Sequence, residues 1–267
     1  MRRLSELMSL HGRRALITGG AGHIATAMAE TLSEMGADLV LVDLDQSRLD
    51  DLSKRLTTTY DVDVFPIRCD LEDEGDRFAA IEAVEANGVA LDILINNAAF
   101  VGTSGLEGWA APFDGQSLAT WRRALEVNLT AVFHLSQAFA PLLNASGHGA
   151  IINIGSIYGE VGPDWSLYED TAMANPAAYG ASKGGVLQFT RWLATTVAPG
   201  IRVNAISPGG VERGQPEKFV SRYRERTPLR RMATEDDFRG AIAYLASDMS
   251  AYVTGQVLRV DGGWGVW

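Results

Sequence analysis

The stretch Thr18-Gly19-Gly20-Ala21-Gly22-His23-Ile24-Ala25 follows a short apolar run and leads into a helical pattern. Gly20, Gly22 and Ala25 have the spacing G-x-G-x-x-G/A. Small residues at those positions permit a tight turn, a close approach of backbone to a pyrophosphate, and close helix–strand packing. The free N–H groups at the start of the helix would then face phosphates. An ordinary glycine turn is the alternative, but the position at the first strand–helix junction favours a dinucleotide site.

Outside this turn, short apolar runs alternate with longer helical patterns. The runs carry Val, Ile and Leu at successive positions, which is typical of parallel strands covered on both faces. They are Ala15–Thr18, Leu39–Val42, Val62–Ile67, Leu91–Ile95, Ala150–Ile154, Ile201–Ile206 and Val257–Val260. The alternation predicts an α/β fold: a doubly wound (Rossmann) parallel sheet with helices on both faces. No break in composition appears, so residues 1–267 are expected to form a single domain.

Charge and cysteine content limit the classes of partner. The formal net charge is −10, which argues against nucleic acid or an anionic membrane surface as a partner. The single cysteine, Cys69, cannot form an internal disulfide, and no metal site is expected. The start of the chain is polar, and no apolar stretch is long enough to span a bilayer. The chain is therefore expected to be cytoplasmic.

An acidic residue ends the second apolar run, in Val40-Leu41-Val42-Asp43. A carboxylate about 20 residues beyond the glycines can accept hydrogen bonds from the adenosine ribose hydroxyls and repels a 2′-phosphate. Asp43 therefore predicts NAD in preference to NADP. A solvated aspartate at a strand end is the alternative, and Asp45 competes for the role, although it lies past the strand.

Three polar residues in the second half of the chain carry the predicted chemistry. Ser156 follows the fifth apolar run, and Tyr179 and Lys183 form Tyr-x-x-x-Lys on one face of a helix. Tyrosine is a poor base at neutral pH, but a nearby cation stabilises the phenolate and lowers its pKa. Tyr179 could then exchange a proton with a substrate hydroxyl while Ser156 donates a hydrogen bond to the substrate oxygen. A buried tyrosine beside a solvated lysine is the alternative.

Taken in order, these motifs resemble the short-chain dehydrogenase/reductase family, in its shorter Tyr-x-x-x-Lys branch, from about Leu10 to Gly263. Further matches are Asn128 in Val127-Asn128-Leu129 and the stretch Ser207-Pro208-Gly209. The resemblance implies a catalytic tetrad of Asn128, Ser156, Tyr179 and Lys183, in which Asn128 holds a proton-relaying water. It also implies a homotetramer or homodimer built partly on the helices Trp121–Leu143 and Ala177–Val197.

The turn, the strand ends and the resemblance together give a set of expected cofactor-binding residues. They are Gly19, Gly20, Gly22, His23, Ile24, Asp43, Asp70, Leu71, Asn97, Ala98, Tyr179, Lys183, Pro208, Gly209 and Val211. Four positions depart from the family pattern, one of them Ala99, which replaces the glycine of the usual Asn-Asn-Ala-Gly. His23 and Ala25 stand where the shorter branch has glycines, and Arg213 replaces a frequent threonine after Pro-Gly.

Two stretches are expected to act as substrate loops, near residues 157–178 and 211–232. The first mixes aromatic rings with carboxylates and hydroxyls, which suit a sugar or flat substrate or, alternatively, a neighbouring subunit. The second contains several arginines, which suit an anionic group or, alternatively, a solvated helix face.

The expected function is NAD(P)-dependent interconversion of a secondary alcohol and a ketone, on a small-molecule substrate. A sugar or sugar derivative is the first substrate class, since the chain weakly resembles members associated with surface-glycan sugar biosynthesis. A 3-oxoacyl thioester or simple carbonyl reductase is the first alternative. A non-catalytic dinucleotide sensor or scaffold is an alternative of another class, and the glycine spacing also raises a nucleotide-sugar epimerase or dehydratase.

Overall fold

The seven apolar runs are the seven strands of one sheet in the computed structural model, which describes residues 1–86, 88, 90–101 and 106–267. The strands are β1 (Arg14–Thr18), β2 (Asp38–Asp43), β3 (Val64–Arg68), β4 (Ile93–Asn96), β5 (Gly149–Ile154), β6 (Ile201–Pro208) and β7 (Val257–Val260). Their order is β3-β2-β1-β4-β5-β6-β7, and every pairing is parallel. The predicted doubly wound sheet is confirmed, and its strand order reverses between β1 and β4, where such sheets bind ligands.

Helices connect the strands. They are α1 (Leu4–Met8), α2 (His23–Glu34), α3 (Gln46–Tyr60), α4 (Glu74–Ala86), α5 (Leu118–Leu125), α6 (Ala131–Ala145), α7 (Ala177–Thr196), α8 (Glu217–Arg226) and α9 (Arg239–Ala246). Between α5 and α6 the helix does not stop, because Glu126–Thr130 forms one turn of π-helix. Such turns often occur at functional sites, and this one contains Asn128.

Each face of the sheet is covered by a separate core. Successive residues of a strand point to opposite sides, so neighbouring residues pack in different cores. Ala15 and Ile17 of β1 pack in the core beneath α2, α3 and α9. Leu16 packs in the second core, beneath α4, α6 and α7. The near-continuous apolar character of the strands follows from this double coverage.

A third apolar cluster lies outside the two sheet cores. Ile157 and Leu167 from the 157–178 segment pack there with Tyr223 of α8 and with Trp264 near the C-terminus. The rings of Tyr223 and Trp264 are stacked, with centroids 4.3 Å apart. The 157–178 and 211–232 segments therefore pack on each other rather than extending separately into solvent.

Within the described part of the chain, none of the helices combines the length and apolarity needed to cross a membrane. Those same residues contain no group of three or more His, Cys, Asp or Glu side chains placed to hold a metal ion.

Candidate active site

A cleft of about 730 Å³ opens at the carboxyl ends of the strands. Its walls come from the segments that follow β1 to β6, and its centre lies where β1 and β4 are neighbours. The volume is in the range of small-molecule and cofactor sites. Almost all the predicted site residues line this cleft, namely Gly19, Gly22, His23, Ile24, Asp43, Asp70, Leu71, Asn97, Ala98, Ser156, Tyr179, Lys183, Pro208, Gly209 and Val211.

The glycine turn has the shape that a dinucleotide requires. Gly19 has a φ of +62°, and a Cβ there would lie 2.9 Å from the Cα of Ala98. Gly22 precedes the first turn of α2, which has no acidic residue and no side-chain cap. The backbone N–H groups of this first turn are therefore available to a phosphate. Gly20 does not line the cleft; a Cβ there would lie 3.1 Å from the Cβ of Leu41, so this glycine serves packing against β2.

Thr18 fixes the distance between the ends of β1 and β4. Its hydroxyl accepts hydrogen bonds from the backbone N–H groups of Asn97 (3.0 Å) and Ala98 (3.1 Å). The Asn97 side chain donates in return to the Thr18 carbonyl at 2.9 Å. The floor of the cleft is thus held by short bonds to backbone, which leave little room for rearrangement.

Asp43 is held by backbone at the edge of the cleft. Its two carboxylate oxygens accept hydrogen bonds from the N–H groups of Ala21 (3.0 Å) and Asp45 (3.2 Å). Asp45 instead caps α3 by accepting from Arg48 N, and its hydrogen bonds to Ser47 and Arg48 lower its pKa. Of the two carboxylates, Asp43 is the one that lines the cleft. Arg48 also lines the cleft, a cation that the sequence reasoning did not identify.

A buried arginine braces the wall around Asp70 and Leu71. Arg77 is 2% exposed, and its guanidinium donates to the Leu71 carbonyl (2.5 Å), to Glu126 Oε1 (2.7 Å) and to His134 Nδ1 (3.2 Å). It therefore ties this wall to the π-helical turn. No local pattern predicts this network, since its partners lie far apart in the chain.

Ser156, Tyr179 and Lys183 meet at the centre of the cleft. Ser156 follows β5; its hydroxyl accepts from the N–H of Tyr158 at 3.2 Å, and it interacts with the Tyr179 phenol. Lys183, one helical turn beyond Tyr179, is 2% exposed and donates from Nζ to the carbonyl of Ile154 at 2.7 Å. The Nζ atom lies 5.9 Å from the centroid of the Tyr179 ring.

Burial dominates the ionisation of this pair. It raises the pKa of the Tyr179 phenol, and the hydrogen bond with Ser156 offsets that rise in part. It also lowers the pKa of Lys183 to about 8. The sequence reasoning expected the lysine to lower the tyrosine pKa; here desolvation is larger and acts in the opposite direction.

Asn128 lies behind the cleft rather than in its wall. Its Oδ1 accepts from the backbone N–H of Phe100 at 2.6 Å, while Nδ2 donates to the Phe100 carbonyl (3.3 Å) and to Ser182 Oγ (3.0 Å). Both ends of this fully buried amide are occupied by protein groups. The side chain therefore joins the segment after β4 to α7, which carries Tyr179 and Lys183.

The end of β6 closes the cleft on the other side. The N–H of Gly209 donates to the Val260 carbonyl at 2.9 Å, and a Cβ on Gly209 would lie 2.8 Å from the Cα of Asp261. Pro208, Gly209 and Val211 accordingly present backbone to the cleft at close range.

Ion pairs join the two predicted substrate segments. Arg226 pairs with Asp164 (3.1 Å) and Lys218 with Asp170 (3.4 Å), while Arg222 donates to the Glu169 carbonyl. The arginines of 211–232 therefore mostly face protein acceptors. Arg213 lines the cleft, although its Nε donates to Glu235 at 2.9 Å. The lining also includes Tyr158 and Gln215, which the sequence reasoning left within broad loop ranges.

A glycine turn, a carboxylate at the end of β2 and a Ser–Tyr–Lys group in one cleft define a nicotinamide-dependent oxidoreductase. Comparison with known proteins agrees. A family model described as enoyl-(acyl carrier protein) reductase matches residues 19–265. Cis-4-hydroxycyclohexanecarboxylate dehydrogenase of Sinomonas cyclohexanicum is 35% identical over 257 residues, covering 94% of this chain and 96% of that protein.

Two further comparisons concern sugar-type compounds. Galactitol 2-dehydrogenase (L-tagatose-forming) of Cereibacter sphaeroides is 35% identical, with 97% of each chain covered. The crystal structure of a gluconate 5-dehydrogenase from Burkholderia cenocepacia J2315, in complex with NADP and tartrate, has a TM-score of 0.86 at 33% identity and covers 99% of this chain and 100% of that chain. Structures of similar fold contain either NADP or NAD⁺.

The chain belongs to the short-chain dehydrogenase/reductase family. It is an NAD(P)-dependent oxidoreductase that interconverts secondary alcohols and ketones.

Proposed function

We propose that this chain is an NAD-dependent dehydrogenase that oxidises a secondary hydroxyl group of a sugar, a sugar alcohol or another hydroxylated ring. The observation that carries the proposal is the meeting of Ser156, Tyr179 and Lys183 in the cleft that holds the glycine turn. Two relatives support this substrate class, because one is named for galactitol and the other for a hydroxycyclohexane ring.

The proposed chemistry assigns one task to each residue. The bound dinucleotide supplies the hydride acceptor in oxidation and the hydride donor in reduction. Ser156 donates a hydrogen bond to the substrate oxygen and orients it toward Tyr179. The Tyr179 phenolate takes the hydroxyl proton as the carbonyl forms, and the phenol returns it in the reverse direction. Protonated Lys183 stabilises the phenolate, and Asn128 positions the helix that carries both groups.

The rates of oxidation and reduction should differ in their dependence on pH. Reduction uses the protonated phenol, which the raised pKa of Tyr179 maintains above neutral pH. Oxidation uses the phenolate, whose fraction grows as the pH rises toward that pKa. We therefore expect alcohol oxidation to accelerate with pH through the neutral range, while ketone reduction at neutral pH shows little change.

NAD is the proposed cofactor, with contacts from the glycine turn, Asp43 and the residues after β3, β4 and β6. The carboxylate of Asp43 lines the cleft and would repel a 2′-phosphate. Arg48 is the group in the same wall that would favour NADP, so the preference depends on the balance between these two side chains. A cytoplasmic location stays a prediction.

A homodimer or homotetramer is proposed through α6 and α7. Phe133 of α6 is 45% exposed and Trp192 of α7 is 56% exposed, and Phe189 lies between them in contact with both rings. An aromatic patch of this kind on two adjacent helices is typical of a protein–protein contact. Light scattering of Trp192→Glu beside the wild type tests it, and an unchanged mass would contradict it.

The decisive experiment replaces the acid–base group alone. Tyr179→Phe should lower kcat at least about 10³-fold in an assay at 340 nm with galactitol, cyclic alcohols and NAD, while NADH binding is retained. Tyr252→Phe, which removes a fully exposed hydroxyl far from the proposed site residues, is the matched control. Full turnover by Tyr179→Phe would overturn the catalytic assignment. If the wild type binds the cofactor but turns over no alcohol or ketone, the result would favour the alternative of a non-catalytic dinucleotide sensor or scaffold.

A further inference from the structure

A second cavity, of about 660 Å³, lies beside the cleft and takes no part in the contacts described above. Its walls come from the 157–178 segment, from residues 110–116 and from the start of α7. Tyr158 lines both the cleft and this cavity, and Gly180, next to Tyr179, lines the cavity. The cavity therefore shares one lining residue with the cleft and lies beside the start of the helix that carries Tyr179.

The lining has an unusual composition. It contains four aromatic rings, those of Phe113, Tyr158, Trp165 and Tyr168, and no Asp, Glu, Lys or Arg among the described residues. Phe113 is 84% exposed and Trp165 58% exposed. Exposed aromatic rings at the edge of a cavity are not explained by core packing, and they are well suited to stack on the apolar face of a ring-shaped ligand.

The side-chain oxygen of Asn175, in this wall, has no hydrogen-bond donor among the described residues. Asn175 is only 8% exposed, and its Nδ2 donates to the hydroxyl of Tyr168 at 3.3 Å. The Tyr168 hydroxyl is in turn 2.8 Å from that of Tyr158. Within the described residues, no donor lies in hydrogen-bonding contact with Asn175 Oδ1. Because Asn175 lines the cavity and its Oδ1 is not fully buried, a ligand hydroxyl can reach and donate to this acceptor.

We propose that this cavity is a second subsite that binds an uncharged, hydroxylated ring attached to the reacting part of the substrate. The ring stacks between Phe113 and Trp165, and one of its hydroxyl groups donates to Asn175 Oδ1. This inference rests on the proposed function, because the subsite matters to catalysis only if an alcohol reacts at Tyr179. A carboxylate or phosphate on the same ring is rejected, because the lining offers no cation to compensate the desolvation of an anion.

The test measures binding without turnover. Isothermal titration of the full chain, without cofactor, uses phenyl β-D-glucopyranoside as the neutral probe and phenyl β-D-glucuronide as its anionic counterpart. We expect saturable binding of the glucoside and about tenfold weaker binding of the glucuronide. Trp165→Ala and Asn175→Ala should each weaken glucoside binding about fivefold to tenfold. Tyr252→Ala, which removes a fully exposed ring elsewhere, should leave it unchanged.

Each other outcome overturns the subsite. These are an absence of saturable binding, equal affinity for the two probes, or glucoside binding that Trp165→Ala and Phe113→Ala leave intact. Phe113→Ala guards against misfolding, since it alters a mostly exposed side chain. If Phe113→Ala and Trp165→Ala change the oligomeric mass but not probe binding, the aromatic rim is a subunit contact. Because the titration needs no cofactor, saturable probe binding by a wild type that turns over no alcohol or ketone with NAD would contradict the proposed function and leave the subsite standing.

Discussion

The side of the cleft proposed to bind the cofactor (the cofactor side, with Gly19 and Asp43) and the side proposed to bind the substrate (the substrate side, residues 157–178 and 211–232) are built by different means. On the cofactor side, glycines and short side chains bring backbone within van der Waals contact of backbone, as at Gly19 and Ala98. On the substrate side, partly exposed ion pairs such as Arg226–Asp164 and the contact between the Tyr168 and Phe219 rings hold two long segments together. Exposed pairs contribute little free energy each. The substrate side can therefore change its shape or sequence while the cofactor side stays intact.

The largest expected effect lies at the boundary between the two sides. Lys183→Met should abolish measurable turnover, a loss of about 10³-fold or more, because no cation remains beside the phenolate. It should also make the protein about 2 kcal/mol more stable at neutral pH, since the buried charge is removed at the cost of one hydrogen bond to Ile154.

The pH dependence of the stability difference between Lys183→Met and the wild type tests whether the buried charge of Lys183 causes it. The pKa of Lys183 is about 8 in the folded protein against 10.5 for an ordinary lysine. Between those values the folded state binds fewer protons than the unfolded state, so this group makes the wild type more stable as the pH rises. The advantage of Lys183→Met should be complete below pH 8, vanish near about pH 9.5 and reverse by about 1 kcal/mol above pH 10.5, where only the lost hydrogen bond remains, in chemical denaturation. A constant difference across that range would contradict the assignment.

Two glycine substitutions compare the sides directly. Gly19→Ala forces a Cβ to within 2.9 Å of Ala98 at a positive φ, and we expect NADH binding to weaken about 100-fold. Gly214→Ala, in the 211–232 segment, meets nothing within 4 Å at a φ of +73°. It should cost only about 1 kcal/mol of stability and leave NADH binding unchanged. Similar losses of NADH affinity in both variants would show that the two sides are not independent.

A smaller effect concerns the choice of cofactor. Asp43→Asn keeps the shape of the side chain but removes its charge, so NADPH binding should improve about tenfold and NADH binding should weaken a few-fold. Asp50→Asn is the matched control, because Asp50 lies on the exposed side of α3 in contact with Gln46. If fluorescence titration gives the same ratio of NADH to NADPH affinity for the wild type and for Asp43→Asn, then Arg48 rather than Asp43 determines the cofactor preference.

The smallest effect is expected at the Arg226–Asp164 ion pair, which joins the 157–178 and 211–232 segments. Arg226→Met removes the pair with Asp164 and the stacking of the guanidinium over Trp264, whose centroid is 4.7 Å away. We expect the substrate KM to rise about threefold, with no change in NADH affinity. Arg224→Met breaks a pair with Glu212 inside one segment and should not change KM. A large loss of NADH affinity in Arg226→Met would refute the separation of the two sides.

Local patterns predicted the cofactor side well. The strands, the glycine turn and Asp43 are each specified by neighbours in the chain, because apolar runs and glycine spacing report directly on sheet and turn geometry. The Tyr-x-x-x-Lys spacing likewise placed Tyr179 and Lys183 on one helix face. Their pairing with Ser156 followed from the rule that the ends of parallel strands meet at one edge.

The features that were not predicted depend on contacts between distant residues. The π-helical turn around Asn128 and the buried Arg77 network join parts of the chain that share no local pattern. The occupied amide of Asn128 and the raised pKa of Tyr179 depend on three-dimensional burial, which spacing does not report. The second cavity arises where the 157–178 segment folds over residues 110–116, and neither segment has a periodic sequence.

The environment of Cys69 makes the protein convenient for chemical labelling. Burial, with the neighbouring charges of Asp76 and Asp70, raises the pKa of this single thiol to about 12. At neutral pH only about one molecule in 10⁵ would carry the reactive thiolate. The natural chain thus behaves toward maleimides as if it had no cysteine. A fluorophore attached to a cysteine introduced at Phe113 would report on the second cavity without background from the wild-type thiol.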